Sequence, residues 1–168
     1  MQEDRLLIRP KLIFHTRKGR EIPNEPAVSF SPFEIEKLER QINAQFGDPI
    51  RRKVRKHTNG CYNCHGLTFL SRRAWLLKDA DIRIVLSDDD YYEVAQNRVC
   101  QGDIILYCDH AGEIDHTGVV IDVPTDETIF CPWILSKWAN YGEYIHRYNY
   151  CPYDARHVKF MREGRNDG

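Results

Sequence analysis

The chain has 168 residues, which is enough for one domain with a buried core. Its hydrophobic fraction of 42%, its charged fraction of 29% and its formal net charge of -1 are those of an ordinary globular protein. Such a charge balance supplies no overall field to attract nucleic acid or an anionic membrane, so neither is expected as a partner. The local basic run at residues 51–56 is interpreted as a solvated loop, with a contact for an acidic partner as the alternative.

Membrane insertion and export signals are not evident. No apolar stretch approaches the roughly 18 residues that a membrane-spanning helix needs. The segment from Met1 to Arg5 lacks the basic flank and apolar core of a signal peptide. We therefore expect a cytoplasmic protein, although export by another route stays open. In that compartment the six cysteines are expected to be mostly buried thiols, not disulfides.

Residues 1–60 predict an N-terminal extension made of short strands, one helix and a basic linker. Apolar pieces at residues 6–8 and 11–14 are of strand length and are followed by a proline-rich loop. Ser31 with Glu34 three positions later forms a capping-box pattern, which predicts a helix that ends at Gly47. This extension is expected to pack on a core formed by residues 61–168, giving one compact domain.

The core begins with helical spacing and then changes to strand-length runs. A helical pattern starts near Asn63 and continues through Leu67, Leu70, Ala74 and Leu77, and a short helix is predicted at 79–87. Apolar runs bounded by turn residues predict strands at 103–107, 116–121, 133–135 and 142–146. Helices followed by a series of strands indicate an α+β fold with a meandering antiparallel sheet.

Cys64 and His116 are the candidate catalytic pair. The sequence predicts Asn63 as a helix cap, which places Cys64 in a first turn where free backbone amides stabilise a thiolate. A cysteine nucleophile needs an imidazole to take its proton and return it to the leaving group. His116 is the one histidine of seven that opens a β-prone run directly after a loop, here residues 109–115.

Three segments, in this order, resemble the motifs of NlpC-type cell-wall peptidases and the related CHAP amidases. They are the nucleophile segment 63–69, the Gly-Asp strand at 102–107 and the base segment 116–120. The resemblance implies a papain-like fold in which the nucleophile helix packs on an antiparallel β-sheet. It also implies a thiol hydrolase that cleaves an amide bond in a peptidoglycan stem peptide or another peptide-like substrate. Cys64 would form the acyl-enzyme with His116 as general base, without a cofactor or metal.

The third catalytic residue is less well defined. Asn63 and His65 stand where that family usually has Asp and Ser, so the polar network around the thiol must differ. In the family the third residue lies on the strand after the base, and antiparallel register places the position opposite His116 near residue 135. Ser136 is the nearest polar side chain and is the candidate. Three further residues stay open: Lys137, Asn140 and His146.

Non-catalytic interpretations compete with the hydrolase. A zinc site could combine Cys61 and Cys64 with two of His57, His65, Cys100 and Cys108. A peptide-binding module of the same fold is a second alternative. The segment from Cys61 to His65 also matches the C-x-x-C-H motif by which c-type haem is attached. That interpretation is disfavoured, because haem attachment is generally extracytoplasmic and the strand-rich second half is unlike a small cytochrome.

Overall fold

The computed structural model describes residues 12–164, which form three helices and a seven-stranded sheet. The helices are α1 (Pro32–Phe46), α2 (Cys64–Phe69) and α3 (Asp79–Asp88). The strands are β1 (Arg52–Lys56), β2 (Tyr91–Val94), β3 (Ile104–Cys108), β4 (Ile114–Asp122), β5 (Trp133–Lys137), β6 (Glu143–Arg147) and β7 (Val158–Glu163). A 3-10 turn at Gln96–Arg98 connects β2 towards β3. The predicted α+β class is confirmed.

The sheet is antiparallel throughout, with strand order β1-β6-β5-β4-β3-β7-β2. The consecutive strands β3 to β6 form the predicted meander, and each of them was expected from its sequence. Strand β1 joins the edge beside β6, and strands β7 and β2 extend the opposite edge beyond β3. The predicted basic linker is thus partly wrong, because Arg52–Lys56 is an edge strand. The sheet also crosses the predicted boundary at residue 60.

The two faces of the sheet carry separate cores. Alternate residues of a strand project to opposite faces, and β3 is buried on both. Ile105 and Tyr107 pack with Ile42 of α1, whereas Ile104 and Leu106 pack with Ile82 and Leu86 of α3. Helix α2 contacts β4 and β5 on the α3 side. A sheet covered on both faces explains why its central strands read as continuous apolar runs.

Helices α1 and α3 begin and end close to the predicted residues, but α2 is shorter than predicted. The Ser31 hydroxyl accepts from the Glu34 amide, and the Glu34 carboxylate accepts from the Ser31 amide, which confirms the capping box. Helix α2 ends at Phe69, and Ser71 and Arg72 adopt left-handed backbone conformations. The predicted helical continuation through Leu77 is therefore wrong.

In the described part of the segment before α1, residues 12–30, the chain forms isolated bridges and not regular strands. The described part contains bridges from His15 to Glu21 and from Glu25 to Trp75. The strand predicted at residues 6–8 lies outside the described residues, as does Lys11 of the second predicted strand. Within residues 12–164 no helix has both the length and the apolar character required to cross a bilayer.

Candidate active site

Asn63 fixes the start of α2, as its sequence predicts. Its backbone is extended, and its Oδ1 accepts from the amides of Gly66 (2.9 Å) and Leu76 (3.2 Å). Its Nδ2 donates to the Leu76 carbonyl at 2.5 Å. One buried amide side chain therefore caps the helix and ties it to the returning chain. Cys64 becomes the first residue of the helix, which is the predicted position.

The Cys64 thiol is buried, with only 5% of the residue exposed. Burial raises its pKa to about 11, because a thiolate loses its hydration there. Hydrogen bonds from the backbone N–H groups of Thr117, His65 and Cys64 itself favour the thiolate and lower this pKa, as does the charge of Lys137. Burial is the larger effect, so the thiol is protonated at neutral pH in this conformation.

Helix α2 is attached to β4 through Thr117, the residue after His116. The Thr117 Oγ1 lies 3.0 Å from His65 Nδ1 and 3.0 Å from Thr68 Oγ1. The Thr68 hydroxyl also donates to the Cys64 carbonyl at 3.0 Å. Burial lowers the pKa of His65 to about 4, so its imidazole is neutral and serves as a hydrogen-bonding group. The nucleophile helix is thus held against the strand that carries the candidate base.

Cys64 lies near β4 just beyond the last ladder pair that joins β4 to β5, Val119–Leu135. The β4–β5 ladder starts at the pair Val119–Leu135, and its pairs continue towards the other end of β4. The Val120 N–H donates to the Asp103 carbonyl, and the Val120 carbonyl accepts from the Gly102 N–H, so both groups point towards the β3 side. Antiparallel strands alternate the direction of these groups, so the Thr117 N–H points towards the β5 side. The Thr117 N–H is among the groups that lower the pKa of Cys64, which agrees with this direction.

His116 is fully buried on the other face of β4. Its ring stacks on Tyr153 with centroids 3.6 Å apart and an interplanar angle of 7°, and Tyr107 lies 5.2 Å away. Neither ring nitrogen has a hydrogen-bond partner among the described residues. Burial, followed by the nearby His146 and His65, places the pKa of His116 well below its ordinary value. The imidazole is therefore neutral and unpaired in this conformation.

Cys64 and His116 are brought to one region of the sheet, but they are not hydrogen-bonded to each other. Thr117 projects towards α2, so the neighbouring His116 projects to the opposite face. Tyr153 connects the two positions. Its ring covers His116, and the proximity of Cys64 is one cause, after burial, of a Tyr153 pKa well above its ordinary value. Tyr153 lies in the irregular segment between β6 and β7 and was not expected from the sequence.

Ser136 lies beside Gly118 and not beside the His116 nitrogens. A Cβ atom on Gly118 would lie 3.1 Å from the Ser136 Cβ. The Ser136 hydroxyl is 2.8 Å from His146 Nε2 and accepts from Trp138 Nε1 at 3.0 Å. The structure therefore brings together two of the candidates for the third residue, Ser136 and His146, but neither is hydrogen-bonded to His116. Asn140 is exposed in the turn after β5.

Lys137 is the remaining candidate and is fully buried. Its neighbourhood includes Glu143, which pairs with it across β5 and β6. The Glu143 carboxylate accepts from the Tyr62 hydroxyl (2.6 Å) and from two nitrogens of Arg72 (2.8 and 3.0 Å). The left-handed turn that ends α2 thus delivers Arg72 to a buried carboxylate. This network depends on residues far apart in the sequence, and no local motif indicated it.

The alternative metal site finds no complete ligand set in the described residues. Between residues 12 and 164, no group of three or more His, Cys, Asp or Glu side chains is arranged to hold a metal ion. Cys61 is exposed while Cys64 is buried, and all six cysteines are free thiols. The His65 Nδ1 is engaged by Thr117. The donors that the zinc alternative requires are therefore not assembled around Cys61 and Cys64.

The geometry establishes an antiparallel α+β fold with a buried thiol and a buried imidazole near one end of β4. The papain-like arrangement itself stays a prediction from the three sequence motifs. Comparison of this chain with protein-family models, with curated proteins and with solved structures finds no significant match in any of the three.

Proposed function

We propose that the chain is a thiol hydrolase of papain-like type that cleaves an amide bond in a peptide or peptidoglycan fragment. The observation that carries the proposal is the imidazole of His116, fully buried and without a hydrogen-bond partner among the described residues, on the strand that helix α2 with Cys64 contacts. Buried polar groups are normally hydrogen-bonded, so an orphaned ring is an expected feature of a site that completes its contacts in another state. Apo catalytic hydrogen bonds are often long or unformed.

The reaction follows from the two groups. The Cys64 sulfur, after losing its proton to His116, attacks the carbonyl carbon and forms a carbon–sulfur bond. The carbon–nitrogen bond then breaks, and the amine leaves with the proton from the His116 imidazolium. Water adds to the thioester, and its hydrolysis releases a carboxylate and restores the thiol. We assign the Cys64 backbone N–H as one donor to the oxyanion that forms on the carbonyl oxygen.

Tyr153 must move before this chemistry can occur. Its ring occupies one face of His116, and neither imidazole nitrogen has a hydrogen-bond partner among the described residues while the stack is in place. The proposal requires an open state in which water or substrate enters and the thiol or the imidazole also moves around the end of β4, because the two groups start on opposite faces of that strand. The raised pKa of Cys64 describes the closed state, in which Tyr153 covers His116. It does not determine the reactivity of the thiol in the open state.

The test is site-resolved alkylation by iodoacetamide against pH, read by mass spectrometry in wild type and in His116→Ala. A thiol with a pKa of about 11 has one thiolate in roughly ten thousand at pH 7. Below pH 8 we expect wild-type Cys64 to be alkylated faster than the thiolate fraction of such a thiol allows. The excess would come from a thiolate–imidazolium pair that forms in the open state. That excess should disappear in His116→Ala and persist in His110→Ala, a matched exposed histidine.

A single titration near pH 11 in all three proteins would contradict the hydrolase and favour the non-catalytic peptide-binding module. A positive result leads to the substrate experiment. Peptide and peptidoglycan-fragment mixtures would be incubated with wild type and Cys64→Ser, and new amines would be detected by mass spectrometry. The proposal requires amine release that depends on Cys64.

A further inference from the structure

Lys137 is a buried ammonium group without a carboxylate partner. None of the ion pairs among residues 12–164 involves it, and it has no exposed surface. Its Nζ donates to the carbonyls of Ala139 (2.7 Å) and Tyr141 (2.6 Å) in the turn after β5. Those contacts fix the position of the nitrogen but do not neutralise its charge. A buried charge is costly unless an anion faces it.

The register of the sheet places Lys137 on the face that carries α2. Extending the β4–β5 ladder from Val119–Leu135 by two pairs puts Lys137 opposite Thr117, whose hydroxyl contacts α2. The β5–β6 ladder pairs Lys137 with Glu143 on its other side. Residues directly opposite each other in antiparallel strands share a face. Lys137 therefore lies between the residue that holds α2 and the carboxylate that holds Tyr62.

Glu143 is not the anion that Lys137 needs. Its carboxylate is already paired with both Arg72 nitrogens and accepts from the Tyr62 hydroxyl. The Lys137 Nζ instead lies 5.7 Å from the centroid of the Tyr62 ring, two residues before Cys64. The groups that face Lys137 from the neighbouring elements are thus Tyr62, Cys61, Cys64 and Glu143. Tyr62 and Glu143 are already joined to each other and to Arg72, whereas the thiols of Cys61 and Cys64 have no cationic hydrogen-bond partner among the described residues.

We infer that the Lys137 ammonium is the fixed cationic partner of the Cys64 thiolate. This inference deepens the proposed function, because it assigns a positioning residue to the same nucleophile. The turn carbonyls hold the nitrogen in place, so the thiolate gains a nearby positive charge without a mobile side chain being ordered at each turnover. Lys137 acts through Cys64, and it does so independently of which residue, if any, orients His116.

The ionisation of the two groups agrees with this geometry. Burial lowers the pKa of Lys137 to about 8, and Cys64 is the first of the acidic groups that oppose this shift, ahead of Cys61 and Glu143. In return, Lys137 is among the influences that lower the pKa of Cys64. Energetic influence between two sites is reciprocal. We therefore expect the pKa of each group to change when the other group is removed.

The experiment compares Lys137→Met with wild type in the pH dependence of Cys64 alkylation. Methionine keeps the length and apolar stem of the side chain but removes the charge. An opposite charge within a few ångström lowers a thiol pKa by about one unit or more, so its loss should slow Cys64 at least about tenfold at any pH where the thiol dominates. The matched control is Lys159→Met, whose side chain is 56% exposed on β7. Urea unfolding confirms that each variant is folded.

A second measurement does not depend on the lysine substitution being tolerated. The Lys137 side chain would be followed by carbon-13 NMR against pH in wild type and in Cys64→Ala. Loss of the thiol should lower the Lys137 pKa, whereas a lysine that only caps the turn would titrate unchanged. An unchanged Lys137 titration, or a Lys137→Met effect on Cys61 in place of Cys64, overturns the inference.

The outcomes separate the inference from the proposed function. If Lys137→Met shifts Cys64 while His116→Ala does not, the ion pair stands and the thiol hydrolase with a His116 base falls. If His116→Ala removes the reactivity of Cys64 while Lys137→Met leaves it unchanged, the hydrolase stands and the role of Lys137 falls.

Discussion

Replacing Tyr153 with alanine should expose the buried thiol and imidazole together. The Tyr153 ring stacks on His116 at 3.6 Å, and its phenol is close enough to Cys64 for the thiol to raise its pKa. Burial raises the pKa of Cys64 from 9.0 to about 11, which corresponds to about a hundredfold loss of thiolate at neutral pH. We expect alkylation of Cys64 in Tyr153→Ala to rise at least about tenfold at pH 7. The hundredfold figure corresponds to a return of the Cys64 pKa to its ordinary value of 9.0.

The assay is again site-resolved alkylation, with Cys151 as the internal reference. Cys151 is also buried, and burial likewise raises its pKa to about 11. Removing a large packed ring costs about 3 kcal/mol or more, so the free energy of unfolding must be measured in parallel. Tyr148→Ala removes a tyrosine from the same core cluster and controls for general loosening. A Cys64 rate that stays unchanged, or rises only as much as that of Cys151, would refute the covering role of Tyr153.

Two further predictions concern stability. Burial lowers the pKa values of His65 and His146 to about 4 and that of His116 well below its ordinary value, so the unfolded chain binds more protons between about pH 4 and pH 6.5. The contribution of the neutral histidines to the free energy of unfolding is complete above pH 6.5 and is lost as the pH falls through 4. It amounts to up to about 3 kcal/mol each for His65 and His146. A urea midpoint that stays constant across this window would contradict the prediction. Gly118→Ala would place a Cβ 2.5 Å from Ile134 Cγ2. We therefore expect the free energy of unfolding, measured with urea, to fall by about 2 kcal/mol. An unchanged free energy of unfolding would mean that β4 and β5 can move apart there without cost.

The parts of the fold that follow from local signals could be predicted from the sequence. The capping box at Ser31 and Glu34 and the cap at Asn63 depend on residues within a few positions, and each forms as expected. The strands of the meander are apolar runs bounded by turns, and their order along the chain is also their order in the sheet. Short-range patterns of this kind carry their own structural information.

The errors arise where distant contacts decide the outcome. Apolar spacing continued the second helix through Ala74 and Leu77, but Arg72 turns to meet Glu143, and Leu70 and Ala74 enter a separate core cluster. The charged segment Arg52–Lys56 reads as a loop, yet it forms an edge strand. Charged side chains are common on edge strands because they discourage pairing with other chains. Composition alone could not separate these two possibilities.

The candidate site shows the same division. Cys64 has a recognisable local setting, and its position at the start of α2 follows from the sequence. His116 lies on the expected strand, but the ladder opposite it differs from the assumed register. The pair Val119–Leu135 extends to Gly118–Ser136, so Ser136 falls beside glycine. The roles of Lys137 and Tyr153 depend on how separate segments meet, and no spacing along the chain encodes that.

The ionisation state of the closed site follows from one physical cause. Burial disfavours charge, so it raises the pKa of an acid such as the Cys64 thiol and lowers the pKa of a base such as His116. Both shifts keep the proton on sulfur. A single movement that hydrates the site reverses both shifts together, because the thiol then becomes more acidic while the imidazole becomes more basic. Tyr153 stacks on His116 and lies near enough to Cys64 for that group to raise its pKa, and Lys137 supplies a charge that favours the thiolate. Displacement of the Tyr153 ring would therefore hydrate the thiol and the imidazole together, and their pairing requires a further movement because His116 projects to the face of β4 opposite α2.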